Sequence, residues 1–244
     1  MERNDARAFA AFFALAIEKN GLSSLVTDEH IQKFFLLTEH MLKVNEHFNL
    51  TAIREPERVI LLHYIDSVVS ASLFPEGATV IDVGCGAGFP SLPLAIVRPD
   101  MRLTLLDSLN KRLTFLSEVC CELGITATTV HARAEEGARG ALRERFDVAT
   151  ARAVAALPVL SEYCLPYVKV GGRFVAMKGP ESEAECAQAK RAIGLLGGGK
   201  PVCHALQLTA DGETLDRRLF VIEKQKSTPA AYPRPTAKIK KGAL

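Results

Sequence analysis

The stretch VIDVGCGAGFP, Val80 to Pro90, sets three glycines at alternate positions behind an apolar run and an aspartate. Glycines at this density let the backbone approach a ligand that side chains would hold off. Their spacing narrows the choice of ligand. The dinucleotide fingerprint is G-x-G-x-x-G, with a pyrophosphate seated on a helix N-terminus. Here Gly84, Gly86 and Gly88 follow G-x-G-x-G, with Asp82 two residues ahead. That spacing suits a pyrophosphate less well than a small zwitterion lying flat along the loop. Asp107 adds a second signal. It closes Leu105-Leu106-Asp107, where a carboxylate can accept hydrogen bonds from both hydroxyls of a ribose. Arg152 and Lys178 also follow strand-like apolar runs. Arg152 reads as a pocket residue, and Lys178 as either a phosphate contact or a surface lysine.

The loop and Asp107 together fit methyltransferases that use S-adenosylmethionine. A tight strand-to-helix turn without a ligand is the bland alternative. A nicotinamide dehydrogenase is disfavoured by the glycine spacing. Lys111 and Arg112 follow Asp107 at a helix start, where the dipole does not favour bases; they face adenosine, a polyanionic substrate or solvent.

Such residues need a sheet beneath them, and the chain provides one. Strand candidates lie at 78–83, 102–107, 126–131, 146–151 and 172–177, with two more near 200–208 and 218–224. Helical segments separate the first five, which predicts a mostly parallel, doubly wound α/β sheet. The last two, joined through Ala210-Asp211-Gly212, read as an antiparallel hairpin, with Arg217 and Arg218 on its exposed side. The first 75 residues read as helical. One apolar stripe runs from Ala8 to Ala16 and stops at Asn20-Gly21. A second starts behind a cap at Asp28, and a third opens at Pro56 and runs to Val69. Asn49 and Thr51 read as a helix break and cap, with a cleft contact as second choice. Gly194 to Gly199 reads as a plain connection. The expected organisation is a helical extension over 1–75, a cofactor-binding domain over 76–226 and a basic tail over 227–244.

The net charge of +2 hides an asymmetry: Lys224, Lys226, Arg234, Lys238, Lys240 and Lys241 are six bases with no acid after them. A basic tail on a net-negative body points to a polyanionic partner, with a solubilising end as the alternative. The six cysteines form no C-x-x-C pair and read mostly as small buried hydrophobes, with no metal expected. Glu2 and Asp5 stand where a signal peptide would be basic, and no apolar run could span a bilayer. A cytoplasmic protein is the expectation, with no membrane partner and a monomer favoured.

The sequence resembles the RsmG family, also called glucose-inhibited division protein B, which methylates guanine N7 in 16S ribosomal RNA. The resemblance rests on NLTAIREPERVILLHYIDS (Asn49–Ser67), VIDVGCGAGFPSLPLAI (Val80–Ile96), LLDSLNKRLTFL (Leu105–Leu116), RAEE (Arg133–Glu136), ARA (Ala151–Ala153) and MKG (Met177–Gly179). It implies a Rossmann-like class I methyltransferase fold, S-adenosylmethionine as cofactor, and 16S rRNA or a small-subunit ribosomal particle as partner. It also implies that Gly84 and Phe89 touch the cofactor, that Ala134 and Glu135 lie against its adenine, and that Arg152 lines the same pocket. Ser91 replaces a usual glycine, which should matter little. The tail keeps Tyr232-Pro233-Arg234 but lacks the basic residue and glycine that often follow.

The residues suit this chemistry. Methyl transfer from a sulfonium is an in-line displacement, so orientation and a dry site supply most of the catalysis. Guanine N7 carries a free lone pair and needs no proton removed. No Pro-Cys pair stands ready for covalent attack, and no Asp/Asn-Pro-Pro-aromatic stretch for an exocyclic amine; Leu165-Pro166-Tyr167 comes nearest. His63 and Asp66, three apart on one helix, either hydrogen-bond the guanine edge or a phosphate, or form an ordinary surface pair. Transfer to another RNA, a protein or a small molecule is the alternative activity. A cofactor-binding module without transfer is the alternative of a different class.

Overall fold

The computed structural model describes residues 3–210 and 212–244, so Glu2 and Asp211 lie outside it. Seven strands form one sheet: β1 Thr79–Val83, β2 Arg102–Asp107, β3 Ala127–His131, β4 Phe146–Arg152, β5 Val168–Lys178, β6 Val202–Ala210 and β7 Glu213–Glu223. Their order is β3-β2-β1-β4-β5-β7-β6, parallel except where β7 runs antiparallel to β5 and β6. The chain therefore winds outward from β1 through β2 to β3, then returns to pair β4 on the other side of β1. That reversal opens a crevice beyond the carboxyl ends of β1 and β4, where ligands settle in doubly wound sheets. Gly84 follows β1, Asp107 ends β2 and Arg152 ends β4, so all three meet at this crevice.

Alternation along the strands fills a core on each face of the sheet. Val80, Leu103, Leu105, Val148 and Val175 face one cluster; Ile81, Val83, Leu106, Ala149 and Phe174 face the other. The second face is covered by α8 Leu157–Cys164 and α9 Glu183–Leu195. The first is covered by α5 Ser91–Val97, α6 Asn110–Leu123 and the amino-terminal helices. These are α1 Arg3–Lys19, α2 Asp28–Asn45, α3 Pro56–Val59 and α4 Asp66–Val68, with a π turn over Ile60–Ile65 joining the last two. Phe13, Phe34 and Tyr64 stack where they cross, with ring centroids 4.9 and 4.7 Å apart along the series. Such pairs add about 0.5–1.5 kcal/mol each beyond simple burial. Asn20, expected only to stop α1, also pins it to the hairpin through Thr209, accepting at 3.0 Å and donating at 2.7 Å.

Three expectations need correction. Thr27, not Asp28, caps α2: it accepts from His30 N–H while the His30 ring accepts from Thr27 N–H. A hydroxyl in extended backbone reaches the free amides, whereas Asp28 already lies inside the helix. Gly194–Gly199 is no plain connection. A Cβ at Gly197 would sit 2.0 Å from the Lys226 carbonyl oxygen, and Gly197, Gly198 and Gly199 hydrogen-bond around this crossing. Nor is the segment from Lys224 on a free basic tail. Lys224 is buried and donates to Leu165 O and Thr228 Oγ1 at 2.6 and 2.7 Å. Arg234 clasps the fully buried Glu162, and a short helix, α10 Thr236–Ile239, buries Ile239. A charge count along the chain cannot see the acids that the fold brings to those bases.

Candidate active site

Two cavities of about 480 and 490 Å³ open at the carboxyl edge of the sheet and share Arg152 and Ala153. Both lie within the range of small-ligand sites, roughly 300–1,000 Å³. The first is lined by Gly84, Gly86, Phe89, Asp107, Ala134, Glu135 and Arg152, together with Cys85, Arg112, Val154 and Tyr163. His63, Asp66, Arg152 and Lys178 line the second, with Leu62, Met177 and Arg217.

The loop after β1 is built for close approach. Gly84 has φ +76°, a region that L side chains seldom enter, and a Cβ there would stand 2.9 Å from Val154 Cγ2. Gly86 N–H donates to Asp107 Oδ2 at 2.9 Å, and Leu109 N–H donates to Oδ1 at 2.8 Å. An ionised carboxylate has about four acceptor positions. These backbone bonds orient Asp107 and leave it capacity for ribose hydroxyls, with Arg112 at 3.4 Å beside it. Arg112 thus takes the pocket alternative, and Lys111 is exposed.

Two residues of the expected set do not line a cavity. Gly88 faces inward: a Cβ would lie 2.6 Å from Leu92 and 2.8 Å from Leu116, so this glycine lets the loop pack on α5 and α6. Asp82 is fully buried beneath the loop, where Ser91 Oγ–H donates to Oδ2 at 2.7 Å and Oδ1 has no partner. Ser91 therefore matters, because a glycine there would remove the hydroxyl that donates to this buried carboxyl. Burial pushes the Asp82 carboxyl up to about 7, against the Ser91 hydrogen bond and the Arg152 charge, while the Asp107 charge adds to the rise. In an unfolded chain the group titrates near about 4. Between those values the unfolded state releases a proton that the folded state keeps, so this group's contribution to stability falls as pH rises. The stability of Asp82→Asn relative to wild type should therefore increase from about pH 5 to about pH 8 in denaturant unfolding. A pH-independent difference would contradict this account.

Arg152 forms the wall between the cavities. It donates to Leu62 O at 2.9 Å, to Asp66 Oδ2 at 3.1 Å and to His63 Nδ1 at 3.0 Å, and its guanidinium lies 5.1 Å from the Phe89 ring centre. A guanidinium can only donate, so Nδ1 of His63 accepts and its hydrogen sits on Nε2, donating to Thr51 Oγ1 at 2.9 Å. The ring stacks on Phe89 at 4.2 Å. Burial first, and then the Arg152 charge, press His63 down to about 3. It is a neutral strut, with its lone pair already engaged. Thr51 is accordingly the partner of His63 and also accepts from Ile53 N–H.

Asp66 stands between two guanidinium groups. Its Oδ1 accepts from Arg217 Nε at 2.8 Å, 151 residues away in sequence. Arg217 is therefore not on an exposed hairpin face, whereas Arg218 pairs with the exposed Glu183. The topology signals this placement. An antiparallel strand beside β5 begins at the edge where the parallel strands end, and Lys178 pairs with Arg218 there. Lys178 is held by Ala155 O at 3.0 Å and Glu185 at 2.7 Å, which makes it part of the cavity wall and not a loose surface base. Ala153 has φ +56°, a conformation that costs a non-glycine residue about 1–3 kcal/mol and that recurs at functional sites.

Three of the six cysteines are buried, Cys85, Cys120 and Cys164, while Cys121 and Cys203 are exposed. Burial raises the Cys85 thiol well above its ordinary value, with Asp82 and Asp107 adding to the rise. No cluster of three or more metal-ligating side chains occurs among the described residues, and none of their helices is long and apolar enough to cross a membrane.

Comparison with known proteins agrees with this architecture. A family model described as rRNA small subunit methyltransferase G matches residues 30–210. A ribosomal RNA small subunit methyltransferase G from Clostridium perfringens strain 13 is 48% identical over 221 residues, covering 89% of this chain and 92% of its own. Its counterpart from Lactobacillus helveticus is 45% identical over 228 residues, covering 91% and 93%. Among solved structures, the predicted O-methyltransferase Atu636 from Agrobacterium tumefaciens superposes with a TM-score of 0.53 at 14% identity, over 67% of this chain and 82% of its own. M. jannaschii TYW2 in complex with AdoMet gives 0.52 at 14%, over 65% and 74%. These two show the fold alone.

Proposed function

The chain belongs to the rRNA small subunit methyltransferase G family, and from that premise we propose that it transfers a methyl group from S-adenosylmethionine to N7 of a guanosine in 16S rRNA. The residues of the first cavity fit this cofactor: the glycine loop gives a backbone cradle, Asp107 keeps acceptors for a ribose, and Ala134 and Glu135 form a wall for adenine. S-adenosylmethionine brings its own electrophile, a methyl group on a sulfonium.

The second cavity holds the target base. Arg152, Arg217 and Lys178 line it and favour a polyanionic strand, while Met177, Leu62 and Leu219 offer apolar surface for a base face. Arg152 separates donor from acceptor, so the shared wall sets the approach of the two reacting groups. His63 and Asp66 act as positioning residues: each orients Arg152, His63 through the lone pair of Nδ1 and Asp66 through Oδ2. Guanine N7 fits such a site because its lone pair attacks without prior deprotonation.

The observation that carries this reading is the pair of cavities meeting at Arg152 and Ala153, one with a cofactor cradle and the other cationic. Mapping N7-methylguanosine in rRNA from cells with and without the gene tests it. Loss of one 16S modification, restored by the intact gene, is expected; an unchanged map would reject the proposed substrate. Purified 16S rRNA and small-subunit particles, compared as acceptors, separate the two candidate substrates. Four bases of the C-terminal segment, Lys226, Lys238, Lys240 and Lys241, are exposed and available to phosphate, whereas Lys224 and Arg234 are not. A cytoplasmic monomer remains part of the proposal.

Transfer by orientation needs no thiolate. Replacing all six cysteines by alanine or serine, in a variant that still folds, should leave methyl transfer largely intact in a filter-binding assay with labelled cofactor. A covalent RNA adduct, or abolished turnover in one folded cysteine variant, would overturn this.

A further inference from the structure

Residues 228–239 cross α8 and the short helix α7, Ala134–Gly137, as a strap, and one strap side chain reaches the wall of the first cavity. Thr236 Oγ1–H donates to Oε1 of Glu135. Glu135 is buried and lines the cavity beside Ala134 and Tyr163. Neither carboxylate oxygen belongs to the buried polar atoms left without a partner, and no second hydrogen bond to Glu135 occurs among the described residues. Oε2 thus has no donor among the described residues, and the space that Glu135 lines is the first cavity.

The strap holds Thr236 in place from both sides. Arg234 grips Glu162 through its backbone N–H at 2.7 Å and its guanidinium at 2.7 and 3.0 Å. Arg139 donates twice to Pro233 O, at 2.7 and 3.0 Å, and Arg143 donates to Tyr232 O at 2.8 Å and Thr228 O at 2.6 Å. Ile239 is buried on the far side of Thr236.

We infer that Thr236 is a positioning residue for the cofactor: its hydroxyl fixes the Glu135 carboxylate so that Oε2 accepts from the amino group of adenine. The inference rests on the reading of the first cavity as the S-adenosylmethionine site. A glutamate tethered by one oxygen presents the other in a single orientation, whereas an untethered one loses side-chain freedom at each binding event. Hydrogen bonds to charged groups are the stronger kind, so losing the tether is felt at the ligand.

The test measures S-adenosylmethionine affinity by calorimetry and steady-state kinetics on the full chain. Thr236→Val keeps the shape and removes the donor; its affinity should fall about tenfold, with the loss in KM and not in kcat. Thr236→Ser keeps the hydroxyl and should bind close to wild type. The inosine counterpart of S-adenosylhomocysteine, with a carbonyl in place of the amino group, should bind wild type weakly, and Thr236→Val should narrow that discrimination. Wild-type affinity in Thr236→Val, with Glu135→Gln weakened, would reject the role of Thr236 and leave the cavity reading standing. Equal losses in the valine and serine variants would assign the effect to strap packing and reject it too. A wild-type protein that does not bind S-adenosylmethionine would overturn both readings.

Discussion

Gly84→Val should lose S-adenosylmethionine binding by about 100-fold or more, because backbone conformation and space both oppose the side chain. At φ +76° a β-branched residue is strained, and its Cβ would meet Val154 Cγ2 at 2.9 Å. Gly84 N–H also bonds Leu106 O at 2.8 Å, so a shift of the loop would disturb the end of β2 and Asp107 with it. Gly124→Ala supplies the control. That glycine caps α6 at φ +66° with nothing within 4 Å of an added Cβ. It should cost about 1 kcal/mol of stability and leave binding unchanged. Calorimetry and thermal unfolding on both variants separate the two effects; wild-type affinity in Gly84→Val would remove the loop from the binding site.

Arg152→Leu should be the most damaging single change at the wall. It deletes the donors to Leu62 O, Asp66 and His63 at once and leaves Asp66 buried with Arg217 alone. Breaking a buried ion pair from one side costs about 3–5 kcal/mol. Lysine should not rescue it, since one ammonium cannot span three acceptors set around a planar fork. Denaturant unfolding should show the stability loss. Single-turnover assays on the folded fraction should show transfer lowered by at least about 100-fold, since misplacing a reacting group by about 1 Å costs that much. The His63 ring offers an independent readout by NMR. Its protonation is pressed down by burial first and by Arg152 second, so in the variant it should rise from about 3 towards the ordinary range. A folded variant with normal transfer would dismiss Arg152 as the shared wall.

Much of the sheet was legible because strands alternate with helices, and because Asp107, Arg152 and Lys178 each end a strand. β1 to β4 were expected within a residue of where they lie, and the hairpin follows from its turn residues. The glycine spacing and Asp107 marked the cofactor side for the same reason: local backbone geometry writes itself into local sequence. Partners that meet across long separations leave no such trace. Arg217 reaches Asp66 over 151 residues and Thr236 reaches Glu135 over 101, and neither carries a motif. Asp82 and Gly88 show the converse: both belong to the motif, yet they serve the packing beneath it. Two bases of the C-terminal segment, Lys224 and Arg234, were misread because their countercharges, Glu144 and Glu162, lie far back in the chain.

The π turn over Ile60–Ile65 has a consequence for anyone rebuilding this protein. A π turn closes its hydrogen-bonded ring one residue later than an α turn, so it holds one residue more than a regular helix would spend there. Asp66 N–H accordingly reaches back to Leu61 O. Deleting one residue from 60–65 would produce a smoother helix by every local criterion. It would also rotate all that follows by about 100° relative to what precedes. Taken at Tyr64 or Ile65, the deletion falls between the two site residues: His63 could stay on Phe89, or Asp66 could stay between Arg152 and Arg217, but not both. Idealising this helix and keeping its phase are competing demands, and sequence redesign that rewards regularity would select the wrong one.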